Sequence, residues 1–352
     1  VPAINRAAGA GRRTREILEG RPLDGPIIDM RDLRRDFTVR SPARRLRRSK
    51  RTVHAVDGLT FAMPTGSAIG YIGANGAGKS TTIKMITGIL VPSSGAVRTC
   101  GLDPIHHRRQ LARRIGVVFG QRTQLWWDLP LRESFRTLAA IHRLPEATWL
   151  KRRDELVDRL DLGTFVDTPV RQLSLGQRIR GEIAAALLHS PPLLILDEPT
   201  IGLDVLSKER LRLFLTEQRD LHGTSLLLTT HDMDDVQRLT ERVIVVDHGR
   251  MVYDGDLPGL VGRVGAQRMM VLDLVEPSAP LSDVPDAELV GVEAEGLRQR
   301  LSFSPEQTTA AAVLAAVGER TEVRDLSIEE PDIEDVVRRL YLSTTPPRDA
   351  GT

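Results

Sequence analysis

Residues 68–80 read AIGYIGANGAGKS, and TTIKMITGI follows at 81–89. The apolar and small residues at 68–72 have the pattern of a strand buried on both faces, and the period becomes helical after Ser80. Between the two, Gly73, Ala74, Asn75, Gly76, Ala77, Gly78, Lys79 and Ser80 match GxxxxGK followed by Ser or Thr. A glycine-rich turn alone means little, but strand, glycine loop and helix in this order make a phosphate cradle. Gly73, Gly76 and Gly78 let the backbone curl so that successive N–H groups face phosphate oxygens, and the helix adds the positive end of its dipole. Lys79 is expected on the β- and γ-phosphates of a nucleotide and Ser80 on a Mg2+ ion, with Thr81 completing the binding set.

Working outward, short apolar runs at 116–119, 193–196 and 226–230 alternate with helical patterns, as buried parallel strands of an α/β sheet do. Residues 193–199 read LLILDEP. The strand delivers Asp197 to the carboxyl edge of the sheet, where α/β proteins bind ligands, so that it can hold the Mg2+ through water. Glu198 follows, placed to orient and deprotonate a water that attacks the γ-phosphate. An Asp-Glu pair after a strand is usually a solvated turn; the phosphate loop is what turns the reading toward catalysis. Between the runs at 116–119 and 193–196 lies a helical block, with Leu131, Phe135 and Leu138 on one face after Pro130, and Trp149, Leu156 and Leu160 on another after Pro145. It reads as a lobe inserted at about 122–180.

The 352 residues are 41% hydrophobic and 27% charged, ordinary for a globular chain of roughly two domains. The longest apolar runs fall far short of the roughly 20 residues that span a bilayer. A net charge of +2 gives no argument for nucleic acid, and the single cysteine, Cys100, excludes an internal disulfide and a cysteine-based zinc cluster. Residues 1–25, rich in Ala, Gly and Arg, are expected to form a disordered tail, and 343–352 a second tail.

The sheet domain is expected over 26–264 and a small α+β appendage over 265–342. Strands are expected near 269–274, 298–303 and 321–327. Ser304, Pro305 and Gln307 read as a capping box, and Gly318 as the stop of the helix it opens. A last helix from Pro331 carries acids in its first turn and Arg338 and Arg339 in its last, with Ile333, Val336, Val337 and Leu340 on its apolar face.

Residues 173–178, LSLGQR, resemble the signature of ATP-binding cassette (ABC) ATPases, usually LSGGQ. Leu175 replaces the first glycine, while Ser174, Gly176 and Gln177 keep their places. Ile179, Ile183, Ala186 and Leu187 share one face of the helix behind, whose N-terminus can present donors to an anion. The resemblance implies that this anion is the γ-phosphate of ATP held by a second ATPase subunit in a head-to-tail dimer. It covers about residues 27–255. IGLD at 201–204 resembles the D-loop, ending in Asp204, and His231 in TTHD resembles the switch histidine that contacts the γ-phosphate. Gln121, in VVFGQRTQLWWDLP, resembles the Q-loop glutamine, which reaches Mg2+ and attacking water and senses the transport partner. Counted from Ile115 it falls one position late; counted back from Asp128 it is preferred over Gln124. His106 and His107 have no such context and read as surface residues.

Phe37 resembles the aromatic residue that stacks on adenine, with a core phenylalanine as the alternative. An insert of eleven residues, 41–51, with six Arg or Lys, follows it. The insert reads as a solvated loop or as a contact to anionic lipid headgroups. The fold implied is an α/β P-loop NTPase of the ABC type, with an inserted helical subdomain and a C-terminal α+β appendage; the ligands implied are ATP and Mg2+.

Transporter ATPases share these motifs with soluble ABC proteins of DNA repair or translation. One cassette, no extended heptads and one cysteine favour the transporter class. GQRTQLWWDLP and SIEEPDIEDVV resemble bacterial drug-resistance-type exporter ATPases, which implies an ATP-hydrolysing subunit at the cytoplasmic face of the membrane, driving separate integral membrane permease subunits. Trp126 and Trp127 sit where such proteins receive the permease. Adjacent aromatics point to different faces of an extended chain, so that one can be core while the other is exposed, with docking of the permease and a merely exposed ring as the alternatives.

Overall fold

The computed structural model describes residues 25–40, 50–120, 123–230, 232–263, 267–329 and 340. The expected tails, most of the basic insert, Gln121, His231 and the helix from Pro331, apart from the buried Leu340, lie outside those residues. The chain forms two compact units, one reaching Thr230 and resuming over Asp234–Met251, the other from Val252 onward. The change in sequence pattern comes later, at about Gly265.

In chain order the elements of the first unit are β1 (Ile28–Arg40), β2 (Lys50–Met63), β3 (Ala68–Ile72), α1 (Lys79–Ile86), β4 (Ser94–Thr99), α2 (Arg108–Leu111), β5 (Ile115–Val118), α3 (Leu131–His142), α4 (Glu146–Arg159), α5 (Leu175–Leu187), β6 (Leu193–Asp197), α6 (Val205–His222), β7 (Ser225–Thr229), α7 (Met233–Leu239) and β8 (Arg242–Asp247). β5, β6, β7, β3 and β8 lie side by side in that order and all pair in parallel, with β9 (Arg250–Gly255) next in the sheet. The loops after β3, β5, β6 and β7 therefore leave from one edge. A separate antiparallel sheet of order β2-β1-β4 packs beside it.

Successive side chains of a strand point to opposite faces, and here both faces are covered. Leu194 and Leu196 enter a core with α3, α5 and α6, while Leu193 and Ile195 enter a second core with β1, β2 and α1. Both faces being buried is why β3, β6 and β7 read as continuous apolar runs rather than alternating ones. In the lobe, Leu131, Phe135 and Leu156 are buried, and Pro130 and Pro145 stand directly before the first turns of α3 and α4. Trp126 packs against the core; Trp127 is 49% exposed.

The second unit holds α8 (Leu257–Arg263), β10 (Arg268–Leu274), β11 (Ala287–Glu293), β12 (Arg298–Phe303), α9 (Ala310–Gly318) and β13 (Val323–Glu329). Its four antiparallel strands run β11-β12-β10-β13, and Met270, Leu272, Leu301 and Phe303 pack on Val313 and Val317 of α9. The helix expected from Ser304 starts later. Ser304 instead closes a turn, its carbonyl accepting from Gln307 N at 3.1 Å and Thr308 N at 3.0 Å. Thr309 caps α9, its hydroxyl accepting from Ala312 N at 3.2 Å. The β-branched Thr308 and Thr309 are poor helix formers, whereas the alanines after them are the best. Among the described residues, no helix is long and apolar enough to cross a membrane.

Candidate active site

The loop after β3 is held from both sides by backbone. At Gly78, φ is 104° and a Cβ would lie 2.3 Å from the Ala55 carbonyl oxygen; at Gly73 a Cβ would lie 2.3 Å from that of Val246. Neither position admits a side chain. The turn after β8 supports the same loop, Gly249 N donating to Ala77 O at 3.0 Å, while Gly249 O accepts from Asp57 N at 2.8 Å. Thr82 ties the helix back, donating to Gly78 O at 3.1 Å and accepting from the buried Tyr71 hydroxyl at 3.1 Å. Burial pushes the Tyr71 hydroxyl well above its ordinary pKa, so it acts as a neutral donor.

No side chain caps α1. The positive end of its dipole therefore faces the loop with no side-chain cap competing for an anion. Lys79 reaches across the loop, its Nζ donating to Gly73 O and, at 3.2 Å, to Ala74 O. Ala74, Asn75, Gly76 and Ser80 are exposed, and Thr81 is half-buried.

The acidic residues stand on the same edge, two strands from β3 across β7. Asp197 pairs with Thr229 in the β6–β7 register and accepts a hydrogen bond from the Thr229 hydroxyl. Glu198 N donates to Thr229 O at 3.0 Å, and Glu198 has a left-handed backbone, φ 54°. A Cβ on Gly120, at the end of β5, would lie 3.0 Å from Asp197 O. The residues flanking Gln121 and His231, Gly120 and Thr230, thus follow strands that end on this edge.

Ser174 and Gln177 form a reciprocal capping box at the start of α5: Ser174 Oγ accepts from Gln177 N at 3.2 Å, and Gln177 Oε1 accepts from Ser174 N at 2.9 Å. Gly176 is buried, and a Cβ there would lie 2.9 Å from Leu203 Cδ2. Leu175, the departure from the usual signature, covers Gly202, where a Cβ would meet Leu175 Cδ2 at 2.5 Å.

The family described as ABC transporter matches residues 56–201. The daunorubicin/doxorubicin resistance ATP-binding protein DrrA of Streptomyces peucetius is 33% identical over 308 residues, covering 85% of this chain and 90% of that protein. The chain belongs to the ABC transporter family of ATP-hydrolysing proteins. The Nod factor export ATP-binding protein I of Ralstonia nicotianae is 38% identical over 204 residues, which are 57% of this chain, and the chain spans 62% of that relative's length. Among solved structures, the dimeric bacterial ABC transporter cassette MJ0796 is similar with a TM-score of 0.57 at 25% identity, over 65% of this chain and 98% of that one.

In this ABC ATPase, Asp204 caps α6, accepting from Ser207 N at 2.9 Å and Ser207 Oγ at 2.7 Å. Those bonds, the side-chain one first, hold its carboxyl below the usual range. Phe37 is not a core residue. It lies on β1 opposite Val53, 37% exposed, with the Arg35 guanidinium 4.7 Å from its ring centre.

Sequence reasoning missed Glu182, a buried carboxylate on α5. It accepts from the Thr123 hydroxyl and from Gln124 N at 3.2 Å, so the signature helix anchors the segment that follows Gln121. Burial raises its pKa against those hydrogen bonds. The ABC ATPase sequence signals this only as a charge in the middle of an apolar helix face, Ile179, Ile183 and Ala186 being its buried neighbours.

Proposed function

We propose that this ABC ATPase is the motor subunit of an exporter, working as a head-to-tail dimer on separate integral membrane permeases at the cytoplasmic face of the membrane. The observation that carries its chemistry is the shared sheet edge: the phosphate loop after β3 and the Asp197–Glu198 pair after β6 leave parallel strands on the two sides of β7. The relatives named above are export and resistance proteins, which supports the transporter reading over one in DNA repair or translation.

In this reading the amides of residues 74–79 and the Lys79 ammonium bind the phosphates of ATP, and Phe37 offers adenine its ring face opposite Arg35. The donor set suits a hard cation: the exposed Ser80 hydroxyl and the Asp197 carboxylate are oxygen ligands of the kind Mg2+ takes. The ion would supply charge neutralisation at the β- and γ-phosphates. Glu198 takes a proton from a water as that water attacks the γ-phosphorus, the bond to the ADP oxygen breaks, and inorganic phosphate leaves. Gln121 and His231 complete the water and γ-phosphate contacts. Ser174, Gly176, Gln177 and Asp204 close the site of the second subunit, and dimer closure moves the permeases.

ATPase rate and nucleotide affinity of Glu198→Gln and Asp197→Asn, measured side by side, test the assignment. Glu198→Gln removes only the charge and the proton acceptor, so turnover should fall by roughly 10² to 10⁴ with binding retained. Asp197→Asn should weaken Mg2+-dependent binding as well. Near-wild-type hydrolysis by Glu198→Gln would remove Glu198 as the base.

A further inference from the structure

Asp235, on α7, is wholly buried, and the turn after β6 and the residue that follows β7 meet on it. Its Oδ1 accepts from Arg212 Nε at 2.7 Å. Its Oδ2 accepts from two hydroxyls, those of Thr200 and, at 3.2 Å, Thr230. Thr200 is 3% exposed, Thr230 2% and Arg212 6%. A carboxylate buried this deeply is tolerated when an opposite charge and hydrogen bonds satisfy it, and Arg212 with the two threonines does so. Arg212 also faces Asp234 at 3.5 Å and Glu209 at 3.9 Å.

Thr200 lies two residues beyond Glu198, and Thr230 follows Thr229, whose carbonyl holds the Glu198 N–H at 3.0 Å. One carboxylate oxygen therefore joins the turn after β6 to the end of β7. Glu198 itself sits at φ 54°, a conformation a non-glycine residue keeps only where its surroundings over-determine the backbone. The two ties supply that. Thr229 O holds Glu198 from the strand side; Asp235, through Thr200, holds the turn beyond it, which continues as Leu203 N donates to Thr200 O at 3.2 Å. Removing the second tie frees the strained residue to relax toward an ordinary conformation, and its carboxylate moves with it.

We propose that Asp235 is a positioning residue for hydrolysis, holding the Glu198 turn in register with the end of β7 through Thr200. The inference rests on the reading of Glu198 as the base. Steady-state ATPase and the affinity for a fluorescent ATP analogue would be measured on the full chain for Thr200→Val, Thr200→Ser, Glu198→Gln and the double variant Glu198→Gln/Thr200→Val. Thr200→Val keeps the shape and deletes the hydroxyl; it should lower kcat roughly 10- to 100-fold, as small misplacements of a reacting group do, with affinity unchanged within about twofold. Thr200→Ser should restore most of the rate, and in the Glu198→Gln background the valine should cost nothing further. Asp235→Asn, of the same volume, is the second variant and should show the same loss in kcat at unchanged affinity. Wild-type kcat in both Thr200→Val and Asp235→Asn, or an equal loss from the valine when Glu198 is already Gln, overturns the inference while leaving the base assignment standing. Undiminished turnover by Glu198→Gln overturns the base assignment and the inference with it.

Discussion

Gly78 and Gly76 both have positive φ, 104° and 86°, but only Gly78 is hemmed in, by the Ala55 carbonyl oxygen 2.3 Å from where a Cβ would be. Gly76→Ala should cost about 1–2 kcal/mol, the penalty of a left-handed alanine. Gly78→Ala adds a clash with backbone that cannot swing aside and should cost more, with loss of ATP binding. Urea unfolding of the two variants separates the terms; equal losses would show that the space around Gly78 does not matter. The strand, glycine loop and helix over residues 68–86 and the place of the Asp197–Glu198 pair at the end of a strand were legible in the sequence because both are written in a few consecutive positions. Thr200, Asp235 and Glu182 were not. Asp235 meets Arg212 across 23 positions and Glu182 meets Gln124 across 58, and no local pattern encodes such a meeting.

Among the elements, α5 joins two tasks. Its N-terminus is closed by the Ser174–Gln177 box, and its middle carries Glu182 to the segment around Thr123 and Gln124. Glu182→Ala leaves that hydroxyl and amide without their acceptor and should destabilise the chain by about 1–3 kcal/mol, read by thermal unfolding. A loss below about 0.5 kcal/mol, the range of surface substitutions, would mean that the anchor contributes nothing. Four of the five parallel strands, β3, β5, β6 and β7, were read from the sequence because burial on both faces leaves unbroken apolar runs, whereas β8 was not placed although its residues 243–246 are equally buried. β11 was missed for the opposite reason: Val290 and Val292 are 54% and 42% exposed and Glu288 and Glu293 interrupt the pattern, as an edge strand allows. The start of α9 was placed too early because Ser304, Pro305 and Gln307 imitate a helix start that the threonines then delay.

Within the first unit, His142 at the end of α3 and His189 after α5 stack with ring centres 4.0 Å apart. Burial, then the neighbouring His142 charge, pushes His189 down to about 3; burial, then Arg113, lowers His142. Both folded values lie below the unfolded one, so the unfolded chain takes up protons first on acidification. Stability is fully present above about pH 6.5 and declines as pH falls toward the folded values, by up to about 1.4 kcal/mol per pH unit for each histidine. Melting temperatures at pH 7.5 and 5.5 should show this loss. His189→Gln, which keeps a donor for Ile115 O, should reduce it, whereas an unchanged loss would assign the pH dependence to other groups.

At the level of the assembly, the account requires that α5 of one chain complete the phosphate site of another. Ser174→Asp provides the test, because Asp caps a helix as well as Ser does while placing a negative charge where the γ-phosphate of the second subunit would dock. Lys79→Ala removes the phosphate contact from the other half. The decisive measurement is the ATPase rate of each variant alone and of their mixture after subunit exchange. Each alone should be nearly inactive, and the mixture should recover a substantial fraction of the wild-type rate, since each mixed dimer contains one site with both halves intact. Full activity of Ser174→Asp alone, or no recovery on mixing, would contradict a site shared between two chains.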